Sequence, residues 1–336
     1  MMIESPTLPL IRASFLEAFY RQAKVIGSPV ESILQSLHLP AQLPNDLNLL
    51  LPEIPCWKFV QAISQREGHR YYGLETTNNN PWTQLISMQP LFKDCCNLYS
   101  LLKRLIYFSP VQSNTSRFKL KQEGGFIWFI SASPCLLPDA DHSQVIGSTL
   151  LGMIQLIQTA AGTHWRPEEI HLPTPHSRDL ANSALLNPSR ILFSQTELKI
   201  LLPRMLLALP LTYFTDKHQT EAQNIEDYPN IANSLTEQLA ASVIPYLGSG
   251  ALNKKLMADM LGTSPRTLQR RLEKQSSSYS SIIDQARFTH AQSLLKTSDH
   301  SLIDISLMLG YQNASSFSRS FRRWTGVSPS EFQGLL

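Results

Sequence analysis

The chain has 336 residues, 43% of them hydrophobic and 16% charged, with 29 Lys/Arg against 26 Asp/Glu. That length allows two domains, each with its own core, and that balance excludes a disordered chain. The basic excess is local: residues 251–336 carry 11 Lys/Arg and 6 Asp/Glu, whereas residues 1–250 carry 18 and 20. Surface charge ordinarily serves solubility, but a basic excess gathered in one small region also suits contact with phosphates.

Cys56, Cys95, Cys96 and Cys135 show no CxxC spacing, and vicinal Cys95-Cys96 is poorly placed for an ordinary disulfide. They are expected to be reduced, mostly buried thiols of a cytosolic protein. The start, Met1 to Pro6, lacks a basic region and an apolar core, so no secretory signal is expected. Residues 146–161 and 201–211 are greasy but short and interrupted, which argues against a membrane span and for a cytoplasmic location.

In chain order, spacing of apolar residues predicts helices over Phe15–Ile26 and Val30–Leu39, the second closed by Pro40. A helix is expected at Trp57–Ile63 behind Pro55, and another at Tyr99–Phe108 with Leu101, Leu102, Leu105 and Ile106 on one face. Ser116–Lys121, the Gly124-Gly125 turn and Phe126–Ile130 read as a β-hairpin. A long apolar helix over Gln144–Ala160 and strands at Glu169–Leu172 and Leu198–Leu202 complete a mixed α/β domain over residues 1–211. Residues 212–229 turn polar and read as a linker. Leu235, Leu239 and Val243 then recur every four residues, opening an all-α domain over 230–336 with a helix expected to end at Gly248-Ser249-Gly250.

Within 230–336 the same pattern occurs twice. Asn253–Leu261, Gly262-Thr263 and Ser264–Lys274 form one helix-turn-helix signal, with Ser264 and Pro265 as an N-cap and N1 pair. Leu268 and Leu272 must face the core, which turns Arg266, Gln269, Arg270 and Glu273 outward. Arg can fork onto guanine and Gln can pair with adenine, so this face has the vocabulary to read bases. A merely solvated basic helix would look similar, but here cap, turn and charge coincide. The second signal runs from Ser301 through Gly310 to Pro329. Phe317, Phe321 and Trp324 make its apolar stripe, leaving Asn313, Ser315, Ser316, Arg319 and Arg322 outward. Arg319 is the strongest base-contact candidate of this helix; Ser316, Arg322 and Arg323 suit phosphates. A linking helix over Ser281–Leu295 joins the two units, as two readers entering successive grooves about 34 Å apart require.

These strings, above all Ser264–Leu272 and Phe317–Pro329, resemble the AraC/XylS family of bacterial transcription regulators over about the last hundred residues. The resemblance places base contacts at Arg266, Gln269 and Arg270 on the first recognition helix, and at Ala314, Ser315, Ser318 and Arg319 on the second. Phosphate contacts fall to Ser264, Thr267, Arg271, Lys274, Ser316, Arg322 and Arg323. Ala314 and Ser315 are short, so reading by the second helix rests mainly on Arg319. Two departures are visible: Lys254 stands where the family has an apolar residue, tolerable if its stem snorkels, and Ser306 stands where it has Ala.

Residues 1–211 hold little recognisable chemistry. His164, His171 and His176, with Glu168 and Glu169 nearby, lack metal-site spacing; no phosphate loop or nucleophile elbow appears. No catalytic residue, metal or cofactor is therefore expected. Residues 162–170, 187–193 and 207–211 resemble the N-terminal module of regulators similar to the ornithine-utilisation regulator. This implies a sensing or dimerising module, with promoter DNA, RNA polymerase, an unknown small-molecule effector and a second copy in a homodimer as partners. Trp57, Trp82, Trp128 and Trp165 are candidates to line a pocket, although large aromatics are core by default. An enzyme fused to a DNA reader would need a nucleophile–base pair or metal ligands in 1–211. A constitutive DNA-binding protein that only dimerises would show the same sequence as a ligand-responsive one.

Overall fold

A computed structural model describes residues 8–40, 46–132, 142–212, 228, 230–231, 234–249, 252–297 and 300–334. Cys135 and nearly all of the expected linker lie outside the described residues. In chain order the elements are β1 (Leu10–Arg12), α1 (Ser14–Val25), α2 (Val30–Ser36), β2 (Leu50–Pro52), α3 (Glu53–Glu67), α4 (Tyr72–Asn79), α5 (Leu98–Gln112), β3 (Arg117–Glu123), β4 (Phe126–Ala132), α6 (Ser143–Ala161), β5 (Glu169–His171) and α7 (Arg178–Ala181). They continue with β6 (Arg190–Leu192), β7 (Leu198–Pro203), α8 (Leu235–Val243), α9 (Lys254–Met260), α10 (Pro265–Glu273), α11 (Tyr279–Thr297), α12 (Leu302–Met308), α13 (Ala314–Thr325) and α14 (Pro329–Gln333). Mixed α/β structure followed by helices is the expected class. No helix among the described residues is long and apolar enough to cross a membrane.

The chain divides into two compact units that interleave in sequence. The α/β unit takes residues 14–37 and 56–231, and its sheet runs β3-β4-β7-β5-β6. All its pairings are antiparallel except β5 with β6. Alternation along β3 buries Phe118 and sets Arg117, Lys119 and Lys121 outside. Leu101, Leu102, Leu105 and Phe108 of α5 and Leu150, Met153, Ile154 and Ile157 of α6 are buried in one core with Phe129, Ile170 and Ile200. Each such side chain contributes about 1.5–3 kcal/mol by leaving water. At Gly73 an added Cβ would lie 1.7 Å from the Gln144 carbonyl oxygen, so this glycine lets α4 meet the start of α6 backbone to backbone.

The second unit gathers the described residues of 1–13 and 38–55 onto those of 232–336. Leu10–Arg12 pairs antiparallel with Leu50–Pro52, and the buried Arg12 donates from Nη1 to the Asn48 carbonyl at 2.6 Å. The Leu8 N–H donates to Oε1 of buried Gln238 on α8 at 2.8 Å. Burial at α11 holds the His290 imidazole below its ordinary 6.5, the nearby Asp46 carboxylate opposing that shift. The unfolded chain therefore binds the proton more readily, and stability falls as pH drops through the range near 6.5. The melting temperature is expected to fall between about pH 7.5 and about pH 5.5, and less so in His290→Gln. An unchanged pH slope in that variant would remove His290 from the account.

Several boundaries differ from the sequence expectation. The helix at Val30 stops at Ser36 because His38 takes φ +57°. The helix at Trp57 begins earlier, at Glu53, with Pro55 in a first turn whose N–H groups lack intrahelical partners anyway. The helix opened by Leu235 ends at Val243, not at Gly248, since Pro245 cannot donate; a 3-10 segment, Ile244–Ser249, carries on. Of the thiols, Cys56 is buried, but Cys95 is only half-buried and Cys96 is exposed. Burial raises the Cys95 thiol above its ordinary value.

Candidate nucleic-acid interface

Asn253 caps α9, its side chain accepting from the Leu256 N–H at 2.9 Å. Gly262, at φ +65°, turns the chain into α10, where Ser264 accepts from the Thr267 N–H at 3.0 Å and Pro265 fills the first helical position. Leu268 and Leu272 are fully buried, so α10 is fixed by one narrow apolar edge. Its other side presents Arg266, Arg270, Glu273 and Lys274 to solvent, with Gln269, Thr267 and Arg271 half-buried.

The second unit repeats this construction. Ser301 and Asp304 form a reciprocal capping box on α12, and hydrogen bonds from Ser301 hold the Asp304 carboxyl below its ordinary range. Gly310 takes φ +77°, and Asn313 caps α13 by accepting from the Ser316 N–H at 2.9 Å. Phe317 and Phe321 are fully buried; Ser315, Arg319, Arg322 and Arg323 are exposed, with Ser316 and Ser318 half-buried. Trp324 packs against Phe288 and Phe321, a core role. The 19-residue α11, about 28 Å long by its rise per residue, joins the two units. Its Arg287 donates from Nε to the Leu309 carbonyl at 3.1 Å and lies over the Tyr311 ring, which braces the second turn.

Several basic candidates are already engaged. Arg323 pairs with Asp284 of α11 at 2.8 Å, and Arg322 with Glu331 of α14 at 3.7 Å. Arg319 is tethered at 3.3 Å to Ser316, a neutral hydroxyl one turn back. Gln269 accepts from Lys254 Nζ at 3.2 Å and donates to Glu273 at 2.9 Å, so both ends of its amide are held. Lys254, Asp284, Arg287 and Glu331 thus bear on the basic faces although their sequence positions gave no sign of it. The Lys254 departure is half-buried and spent on Gln269. Ser306 is fully buried, its hydroxyl satisfied by the Ile303 carbonyl at 2.7 Å.

In the α/β unit, His171 Nε2 lies 2.6 Å from Glu169 and its ring packs on Trp128; His176 packs on Phe193, and His164 is exposed. No group of three His, Cys, Asp or Glu among the described residues is placed to hold a metal. A cavity of about 570 Å³ opens beside the first turn of α6. None of the four tryptophans lines it.

Residues 27–211 match the family model described as the arabinose-binding domain of AraC transcription regulator, N-terminal, and residues 257–334 match a helix-turn-helix domain. Similar curated proteins include an uncharacterised helix-turn-helix-type transcriptional regulator of Mycobacterium tuberculosis, 41% identical over 76 residues, 23% of this chain and 22% of that one. The ornithine utilization regulator of Pseudomonas aeruginosa is 38% identical over 73 residues, 22% of each chain. The chain thus spans about a fifth of the length of these relatives. Among solved structures, the transcriptional regulator CdpR from Pseudomonas aeruginosa aligns over 95% of this chain and 98% of its own, with 15% identity and a TM-score of 0.41.

Proposed function

Because the chain belongs to the AraC family of transcription regulators, its N-terminal match covering more than half its length, we propose that it binds an asymmetric promoter site through two adjacent major grooves. The carrying observation is the repeated construction: two N-capped helices, each behind a left-handed glycine turn, with Arg266 and Arg270 exposed on one and Arg319 on the other. In this reading Arg266, Gln269, Arg270, Ser315, Ser318 and Arg319 face bases, Gln269 after releasing Lys254 and Glu273. Ser264, Thr267, Arg271, Lys274, Ser316, Arg322 and Arg323 face phosphates. In sequence, 230–336 carry the reader and 1–211 carry sensing or dimerisation across a 212–229 linker, with the described residues of 1–13 and 38–55 lent to the reader's compact unit. The protein works in the cytoplasm, with RNA polymerase as partner and a small molecule as modulator. Modulation requires the ligand to favour one DNA-binding state over another.

Selection of sites from random duplex DNA by the full chain tests this: enrichment of one asymmetric site spanning two turns supports it, and no enrichment with or without a metabolite extract sinks it. Arg319→Ala is expected to cost about 1–3 kcal/mol and to relax preference at one base pair. Unchanged discrimination would remove Arg319 from base reading. Arg323→Ala is instead expected to weaken binding to all sequences and flatten the salt slope by about one, which a salt titration checks.

A further inference from the structure

We propose that Lys254 and Glu273 clamp the two ends of the Gln269 amide and thereby make this side chain select adenine over the other three bases. This deepens the base-reading part of the reading above and rests on it. Lys254 is the first residue of α9, and its Nζ donates to Gln269 Oε1 at 3.2 Å. Gln269 and Glu273 lie one turn apart on α10, where Gln269 Nε2 donates to Glu273 Oε1 at 2.9 Å. The three heads thus form one chain of hydrogen bonds on the first helix-turn-helix, while Leu268 and Leu272 of the same helix are buried.

The chemistry of the flanking groups fixes the orientation of the amide. An ammonium only donates and a carboxylate only accepts, so Oε1 must face Lys254 and Nε2 must face Glu273. A turned amide would set an N–H against the ammonium and a carbonyl against the carboxylate. Each of the two bonds has one charged partner, which makes it stronger than a bond between neutral groups. Lys254 gains nothing from its place in α9, since a cation is unfavourable at a helix N-terminus. What its ammonium supplies there is the bond to Gln269.

Reading a base means leaving both partners, and the bases differ in what they return. The major-groove edge of adenine sets the N6 donor beside the N7 acceptor, so it returns a donor to Oε1 and an acceptor to Nε2. Guanine shows two acceptors, N7 and O6, and leaves Oε1 without a donor. Thymine shows one acceptor, O4, and fails at the same end. Cytosine shows a donor at N4 and leaves Nε2 without an acceptor. A single neutral bond does not offset the loss of two charge-assisted ones. Without the clamp the amide leaves only water, which exchanges with either half-contact, and the other bases are then tolerated. Lys254 and Glu273 are positioning residues in this scheme: they act through Gln269.

The test is a binding titration of the full chain on the duplex it selects and on three duplexes in which one base pair is replaced. That base pair is the one at which Gln269→Ala loses preference. The parent is expected to favour adenine there by about tenfold or more. Lys254→Met keeps the stem and removes the donor, and Glu273→Ala removes the acceptor. Each is expected to melt with the parent and to lower the adenine preference at least about threefold, by strengthening binding to the other bases. Lys254→Arg, which still donates, is expected to keep the preference. A charge changed beside phosphates alters all four duplexes alike, so the ratio between bases reads the clamp and not the net charge. A parental ratio in both Lys254→Met and Glu273→Ala, an equal loss in Lys254→Arg, or a parent that favours another base would overturn the assignment. If Gln269→Ala changes no base preference while the parent still selects a site, the clamp fails alone. A parent that selects no site, with or without a metabolite extract, sinks the regulator reading and the clamp with it.

Discussion

Gly310→Val is expected to abolish operator binding by unfolding the second helix-turn-helix. The residue takes φ +77°, where a β-branched side chain is strained, and an added Cβ would sit 2.1 Å from the Leu247 carbonyl oxygen. That neighbour is backbone in the 3-10 segment after α8, so no side chain can swing aside. Strain and overlap together should cost about 3–5 kcal/mol, a large share of a domain's usual 5–15 kcal/mol. Thermal melting of the full chain, with operator binding followed in parallel, checks this. A variant that melts with the parent would show that the turn shifts freely.

Phe321→Ala is expected to cost about 3–5 kcal/mol. Phe321 is fully buried, with ring centroids of Phe317, Phe332, Phe288 and Trp324 at 5.7, 5.4, 6.2 and 6.4 Å. Truncation leaves a cavity bordered by four stiff rings from three helices and their neighbours, which collapse poorly into it. Arg319 then loses its platform, so base reading should fail together with stability. Denaturant unfolding gives the first quantity and operator titration the second. A variant with parental stability and lost binding would mean that Phe321 acts at the DNA surface.

Much of this was legible because period and cap agree. Ser264-Pro265 and Leu268/Leu272 specify where α10 starts and which edge it buries, and the structure shows the same cap and the same two buried leucines. The Gly124-Gly125 hairpin and α6 were equally plain, since alternation and a long apolar run leave little ambiguity. What sequence could not show is long-range. Leu10–Arg12 has three residues, too few to display alternation, and its strand partner lies about forty positions away. The ion pairs at Arg322 and Arg323 likewise depend on Glu331 and on Asp284, 39 positions from Arg323, which no local pattern links to α13. The cavity escaped notice because it is built from segments around residues 64–74, 143–150 and 172–180, each unremarkable alone.

The hydrogen bond between Leu8 and Gln238 joins residues 230 positions apart. Synthesis runs from N to C, so Leu10–Arg12 is made before the α/β unit and must wait until α8 exists to receive it. At translation speeds of about 5–20 residues per second, the wait is about ten seconds or more. Closing so wide a loop lowers the folding rate more than the final stability. The DNA-reading unit is therefore expected to finish last in biogenesis, with its early strand exposed to chaperones meanwhile, and a nascent chain stalled before α8 should hold a folded α/β unit but an undocked N-terminus.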